Sequence, residues 1–307
     1  MENQTTITTE TFKPRPSDLL GQAVKRLARA GIESARLDAE VLLGHAMAMS
    51  REQLVAGAGS RLGAEQAERF EALILRRLRR EPVAYITARQ EFWSLDFQVT
   101  RAVLIPRPET ERLIEVALRL AARLRSDKAV RLLDVGTGSG AIAVSLAKEL
   151  PAAKIFATDI SPAALAVARA NASLNDVARQ MTFLSGDWFG ALGDEAARFD
   201  LIVSNPPYLQ SDEIATLEPE VSEWEPRAAL DGGGDGLDFY RQIAAQAGRF
   251  LTPNGAVVVE IGALMGSGVA ALFNRAGFYR DVTIVQDYAG RDRVAVAKIA
   301  ADLVGSN

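Results

Sequence analysis

A chain of 307 residues, 48% hydrophobic and 24% charged, has room for an α/β domain and a smaller second domain, and its composition is that of a soluble globular protein. It contains no cysteine, which excludes disulfides, thiolate zinc sites and cysteine nucleophiles and fits a reducing compartment. With a net charge of −4 and one histidine, His45 in an apolar helical run, it lacks the material for a histidine-based triad, and no metal is expected.

Residues 1–11 are polar and lack the apolar segment of a secretory signal. No apolar stretch reaches the ~20 residues of a membrane span, so a cytoplasmic location without membrane association is expected. From 17 to 80 the apolar residues recur with helical spacing: Leu19, Leu20, Val24 and Leu27, then Leu37, Val41 and Leu42, then Phe70, Leu73, Ile74 and Leu78. A bundle of four or five helices is predicted, forming a first domain over 1–84. Ser17 and Ser34 are its expected N-caps, and Gly31 ends the first helix. Arg76, Arg77, Arg79 and Arg80 close its last long helix, where cations favour the negative helix end.

Between 85 and 106 aromatic and β-branched residues take over (Phe92, Trp93, Phe97, Val99, Val103, Ile105) and predict a hairpin linker. Pro106-Arg107-Pro108 ends it, and a helix follows from about Glu109, within a second domain spanning 107–307. Short strands and helices then alternate. Strands are expected at 131–135, 155–158, 181–184, 199–204 and 256–260. Helices are expected at 141–150, 162–174, 237–251 and 265–276, and a last hairpin turns at Gly290. That alternation predicts a mainly parallel sheet covered on both faces, made mixed by its antiparallel final pair.

The first predicted strand of this domain runs into Asp134-Val135-Gly136-Thr137-Gly138-Ser139-Gly140. Glycines there let a ligand approach backbone that a Cβ would shield. The spacing is not that of a dinucleotide loop, and the residues of a P-loop are missing. An acid two residues before the first glycine suits the cationic, phosphate-free amino-acid end of S-adenosylmethionine. Asp159 ends the next strand, where a carboxylate accepts from both ribose hydroxyls. After the third strand, Asp187 is placed to accept from an adenine amino group and Trp188 to pack on the ring. Three successive strand ends with matching chemistry outweigh the plainer roles of helix cap and core residue.

The fourth strand runs straight into Asn205-Pro206-Pro207-Tyr208. The two prolines stiffen the backbone and remove two N–H donors, leaving neighbouring carbonyls free to accept. An amide or aniline-like NH2 is a poor nucleophile because its lone pair is delocalised. The Asn205 side-chain oxygen and the Pro206 carbonyl can each accept one of its N–H bonds and favour rehybridisation. Tyr208 offers an aromatic face to a planar group.

These motifs resemble those of the HemK/PrmC family, the N5-glutamine methyltransferases of peptide chain release factors. The likeness runs through Ala35-Arg36-Leu37-Asp38-Ala39-Glu40, Pro106-Arg107-Pro108-Glu109-Thr110-Glu111, the glycine loop, Asp187-Trp188 and Asn205–Tyr208. It continues through Pro226-Arg227-Ala228-Ala229-Leu230 to Gly290-Arg291-Asp292-Arg293. The resemblance implies a class I, Rossmann-like methyltransferase domain with a seven-stranded mixed sheet behind a helical front domain. It implies S-adenosylmethionine held by Gly136, Thr137, Gly138, Ser139, Gly140, Asp159, Trp188 and Asn205. It also implies a substrate glutamine, in the Gly-Gly-Gln motif of class 1 release factors, held by Asn205, Pro206, Pro207 and Tyr208. A monomer is expected. Asn-Pro-Pro-Tyr is shared with DNA adenine methyltransferases, and a ribosomal-protein glutamine is a second alternative acceptor. Against nucleic acid stands the stretch 209–238, in which Asp212, Glu213, Glu218, Glu220, Glu223, Glu225, Asp231, Asp235 and Asp238 face Arg227 alone. Phosphates would be repelled there and a basic protein loop attracted.

Overall fold

The computed structural model describes residues 15–50, 53–54, 62–124, 129–193 and 198–300; the polar stretch 1–11 lies outside them. The chain divides into two compact units, Met1–Thr87 and Ala88–Asn307.

The first unit contains the helices Pro16–Arg29, Ala35–Met47, Ala64–Leu78 and Val83–Thr87. Pro16 takes the first helical position behind the N-cap Arg15. Its fixed φ suits that place and its missing N–H is not needed there, so Ser17 is inside the helix and not its cap. Ser34 does occupy the N-cap of the second helix, without a side-chain cap bond. Gly31, at φ +75°, follows the C-cap Ala30 and turns the chain out of the first helix. The bundle core is built on Leu27, Ala39, Leu42, Leu62 and Ile74, all at 0% exposure. The arginine cluster does more than complement a helix end. Arg77 is buried and its Nε donates to Asp38 Oδ2 at 2.7 Å. Arg76 grips Glu81 with two bonds, of 2.8 and 2.6 Å, and Arg80 donates to the Gly31 carbonyl.

The second unit opens with a hairpin, β1 (Arg89–Phe92) and β2 (Leu95–Gln98), turning through Trp93 and Ser94 at φ +54° and +55°. Two successive positive φ values match the right-handed twist of the flanking strands. Tyr85, expected at the start of this hairpin, belongs to the helix Val83–Thr87 instead. Asn171, fully buried, clasps β2: its Oδ1 accepts from Gln98 N at 2.6 Å and its Nδ2 donates to Gln98 O.

Seven strands form the main sheet: β3 (Arg131–Val135), β4 (Lys154–Asp159), β5 (Met181–Ser185), β6 (Phe199–Ser204), β7 (Leu251–Glu260), β8 (Tyr279–Gln286) and β9 (Asp292–Ile299). Their order is β5-β4-β3-β6-β7-β9-β8. Pairing is parallel from β5 to β7, and β9 runs antiparallel to both β7 and β8. The strands β3, β6 and the second half of β7 are largely buried on both faces because helices cover both. Leu113, Ile114, Val144 and Leu146 pack on one face; Tyr240, Ile243, Val269 and Phe273 pack on the other. The helix expected over 237–251 is Asp238–Gln246 followed by a 3-10 turn, Ala247–Phe250, because Leu251 already pairs with Phe199 in the sheet. Among the described residues no helix is long and apolar enough to cross a membrane.

The buried Arg77–Asp38 pair generates a stability prediction. Arg77→Met leaves a buried carboxylate uncompensated and should destabilise the protein by about 3–5 kcal/mol, whereas Arg77→Met combined with Asp38→Leu should recover much of that loss. Denaturant titrations of the single and double variants measure the difference.

Candidate active site

The strand order reverses at β3, which pairs with β4 on one side and β6 on the other. Such a reversal leaves a crevice at the C-terminal strand ends, and here it is a cavity of about 260 Å³. The loop after β3 forms one wall. Gly136, Gly138 and Gly140 all adopt left-handed φ, +72°, +56° and +80°, which side chains resist. At Gly136 and Gly138 an added Cβ would meet no atom within 4 Å; at Gly140 it would lie 3.1 Å from Ala168 Cβ. The first two glycines thus keep the cavity open, and the third lets two helices approach. Gly136, Thr137, Gly138 and Ser139 line the cavity, while Gly140 sits behind it, buried.

Asp134, expected from sequence to suit the cationic end of the methyl donor, does not line the cavity. Its side chain is 1% exposed, and Oδ2 accepts from the Thr137 hydroxyl at 2.6 Å. Burial raises its pKa to about 7, with the nearby Asp159 charge adding to the rise and Thr137 opposing it. It holds the loop from below. Asp159 is on the cavity wall. Its Oδ2 accepts from Gly138 N and its Oδ1 from Ser161 N, both at 2.8 Å. The helix that follows is capped by Ser161, whose Oγ accepts from Ala164 N. Asp159 therefore ties the glycine loop to a helix start and still presents carboxylate lone pairs to the cavity.

Asp187 and Trp188 complete the far wall. The exposed Asp187 carboxylate has no partner among the described residues. Trp188 is held at φ +51°, a strained conformation for a bulky residue, with its ring 4.7 Å from that of Phe239. Phe239 also lines the cavity and was not singled out from sequence.

Asn205, Pro206 and Pro207 face the glycine loop across the cavity. Asn205 Nδ2 donates to Thr110 Oγ1 at 3.2 Å, and Oδ1 has no partner among the described residues. Tyr208 does not line the cavity. It packs toward the core beside Gly262 and Met265, and burial, then the Glu260 charge, push its phenol pKa up. The glycines at 232 and 236 grip the tetrapeptide from behind. A Cβ on Gly232 would lie 2.8 Å from Tyr208 Cα, and one on Gly236 2.5 Å from Tyr208 O. Leu209 N donates to Leu230 O and Gly232 N to Leu209 O, closing this bracket.

Several acids of 209–238 are not free to form an attractive surface. Glu225 is buried, accepting from Arg107 and from Ile105 N. Burial pushes its carboxyl up and Arg107 draws it back. Asp231 is held by Ser211, Gly233 N and Arg227, and Asp235 and Asp238 share Arg241. Asp212, Glu213, Glu218 and Glu223 remain exposed. Asn171 and Thr110 are not recognisable as site residues from sequence because their contacts are to segments distant in the chain: Asn171 Nδ2 donates to Ser139 O at 2.8 Å and to Gln98 O, and Thr110 Oγ1 accepts from Asn205.

Residues 18–87 match the PrmC N-terminal domain, and residues 115–220 the methyltransferase small domain. A release factor glutamine methyltransferase of Cereibacter sphaeroides is 48% identical over 287 residues, 94% of this chain and 99% of its own length. One from Moorella thermoacetica is 46% identical, covering 91% of this chain and 96% of its own. Among solved structures, the hMettl16 catalytic domain superposes with a TM-score of 0.53 at 17% identity, over 77% of this chain and 81% of that one. At that identity the likeness is of fold alone.

The cavity fits S-adenosylmethionine: it offers an open glycine cradle, a carboxylate on the wall at Asp159, and an aromatic pair at Trp188 and Phe239. Asp159→Ala should weaken its binding about tenfold or more, the worth of a charge-assisted hydrogen bond. Gly138→Ala should weaken it as well, by putting a Cβ into the cavity at a left-handed φ. Calorimetry on the folded variants checks both, and an unchanged affinity removes that residue from the site.

Proposed function

The chain belongs to the family of release factor glutamine methyltransferases, and we propose that it methylates the side-chain nitrogen of the glutamine in the Gly-Gly-Gln motif of class 1 peptide chain release factors. The observation that carries this reading is Asn205. Its amide nitrogen is engaged by Thr110, which leaves Oδ1 as a free acceptor on a cavity whose other wall is the glycine cradle. When bound, S-adenosylmethionine supplies an electrophilic methyl group carried on a sulfonium.

The protein's own task is to make an amide nitrogen available. Asn205 Oδ1 and the Pro206 carbonyl accept its two N–H bonds and favour rehybridisation of the nitrogen, which withdraws its lone pair from conjugation with the amide carbonyl. Preorganised acceptors of this kind need no reorganisation as charge develops. Pro206 and Pro207 stiffen the turn that carries them, and the bracket at Gly232 and Gly236 supports it. Asp159 and the loop at 136–140 anchor the nucleoside and amino-acid ends of the methyl donor. No ionised base is required, since the alkylated nitrogen becomes acidic enough to lose its proton to water. The helical unit 1–84 recognises the release factor, the hairpin at 85–106 links it to the catalytic part 107–307, and the enzyme acts as a cytoplasmic monomer. The acceptor is protein and not nucleic acid. The exposed acids Asp212, Glu213, Glu218 and Glu223, in the segment that follows the tetrapeptide along the chain, favour a basic polypeptide over phosphates.

Incubation with labelled S-adenosylmethionine and a release factor, followed by peptide mapping, should place the label on the Gly-Gly-Gln glutamine. Asn205→Ala should lower single-turnover methylation on the order of 10²–10³ while release factor affinity falls far less. Labelling of bare DNA with none on the release factor overturns the substrate class, and a near-wild-type rate in Asn205→Ala overturns the acceptor role.

A further inference from the structure

The amino-acid end of S-adenosylmethionine carries a carboxylate as well as an ammonium, and a carboxylate taken out of water needs donors. The glycine loop has few to give. Gly136 N and Thr137 N both donate to Thr158 O, Gly140 N donates to Thr137 O, and Gly138 N is held by Asp159. Asp159 and Asp187 are themselves acceptors. Among the described residues that line the cavity, Arg107 is the one cation.

Arg107 is the N-cap of the 3-10 turn Pro108–Thr110, and its carbonyl accepts from Thr110 N at 3.0 Å. Thr110 in turn accepts from Asn205. One short turn therefore joins Arg107 to the acceptor residue. The donor's sulfur bonds both the methyl that must reach Asn205 and the amino-acid chain, so Arg107 belongs to the sulfonium end of the cavity. Glu225, its side chain 1% exposed, holds the guanidinium: Oε1 accepts from Arg107 Nη2, and Oε2 accepts from Ile105 N at 3.3 Å. Arg107 Nε and Nη1 make no hydrogen bond among the described residues, and the side chain is 36% exposed. A planar fork of N–H donors gripped at one nitrogen keeps the others for a second carboxylate.

We propose that Arg107 recognises the carboxylate of S-adenosylmethionine. The assignment rests on the reading that Asp159 and Asp187 take the nucleoside, which leaves the amino-acid chain on the Arg107 side of the cavity. Cation and anion then meet where the buried Glu225 already fixes the guanidinium, and a charge-assisted contact of that kind is both strong and directional.

Calorimetry with two ligands decides it: S-adenosylmethionine, and its decarboxylated form, which keeps the sulfonium and the ammonium. The wild-type protein should bind the decarboxylated ligand about tenfold or more weakly. Arg107→Met should weaken S-adenosylmethionine by a similar factor without weakening the decarboxylated ligand, and the coupling between the two changes isolates the contact. The single variant leaves Glu225 buried without its cation. Arg107→Met combined with Glu225→Gln removes that charge and should show the same loss of discrimination, so a folding defect in the single variant does not end the test. Equal binding of both ligands by the wild-type protein, or equal weakening of both by Arg107→Met, overturns the assignment. Asp159→Ala should weaken both ligands alike. An unchanged affinity there overturns the nucleoside placement instead, so the two failures are distinguishable.

Discussion

Strand β3 pairs in parallel with β4 on one side and with β6 on the other, and everything at the site follows from that. Connections leaving β3 and β6 cross to opposite sides of the sheet, so no chain fills the space above their ends. The glycine loop and the asparagine tetrapeptide are therefore brought face to face although they lie far apart in sequence. Parallel strands also point every C-terminal end the same way, which places Asp159 and Asp187 on the same rim.

A crevice holds a ligand only if its walls stay put, and here polar contacts do the holding. Asp159 fixes Gly138 and Ser161 at once. Asp134 fastens the loop through Thr137, and Asn171 joins the hairpin to Ser139. Glu225 binds Arg107 and the Ile105 backbone. Buried polar groups of this kind stabilise little over an apolar core, but each leaves a costly orphan when its partner moves. The consequence is a site with few alternative arrangements, which suits chemistry that relies on orienting a weak nucleophile.

The strands and helices of the sheet domain were readable from periodicity, because burial on both faces demands apolar runs of strand length between helical repeats. The glycine loop was readable too, since a Cβ there would shield backbone from a ligand; its left-handed φ values came from the structure. Errors fell where tertiary contact overrides a local rule. Ser17 gave way to Pro16 at the helix start, and the helix after Leu237 stopped short once Leu251 entered the sheet. Asp134 turned inward to Thr137, and Tyr208 toward the core beside Gly262 and Met265.

By itself, the order of residues along the chain determined the two kinds of domain, the glycine cradle and the asparagine that faces it. These are written in short motifs whose chemistry depends on neighbours only a few positions away. Which carboxylates line the cavity and which are buried, only the tertiary structure decided. Asp134, Glu225 and Glu260 are acids like Asp159 in the sequence. Their surroundings come from other loops and strands, as Ile105 and Arg107 do for Glu225, and a carboxylate's role is set by the groups that folding brings to it.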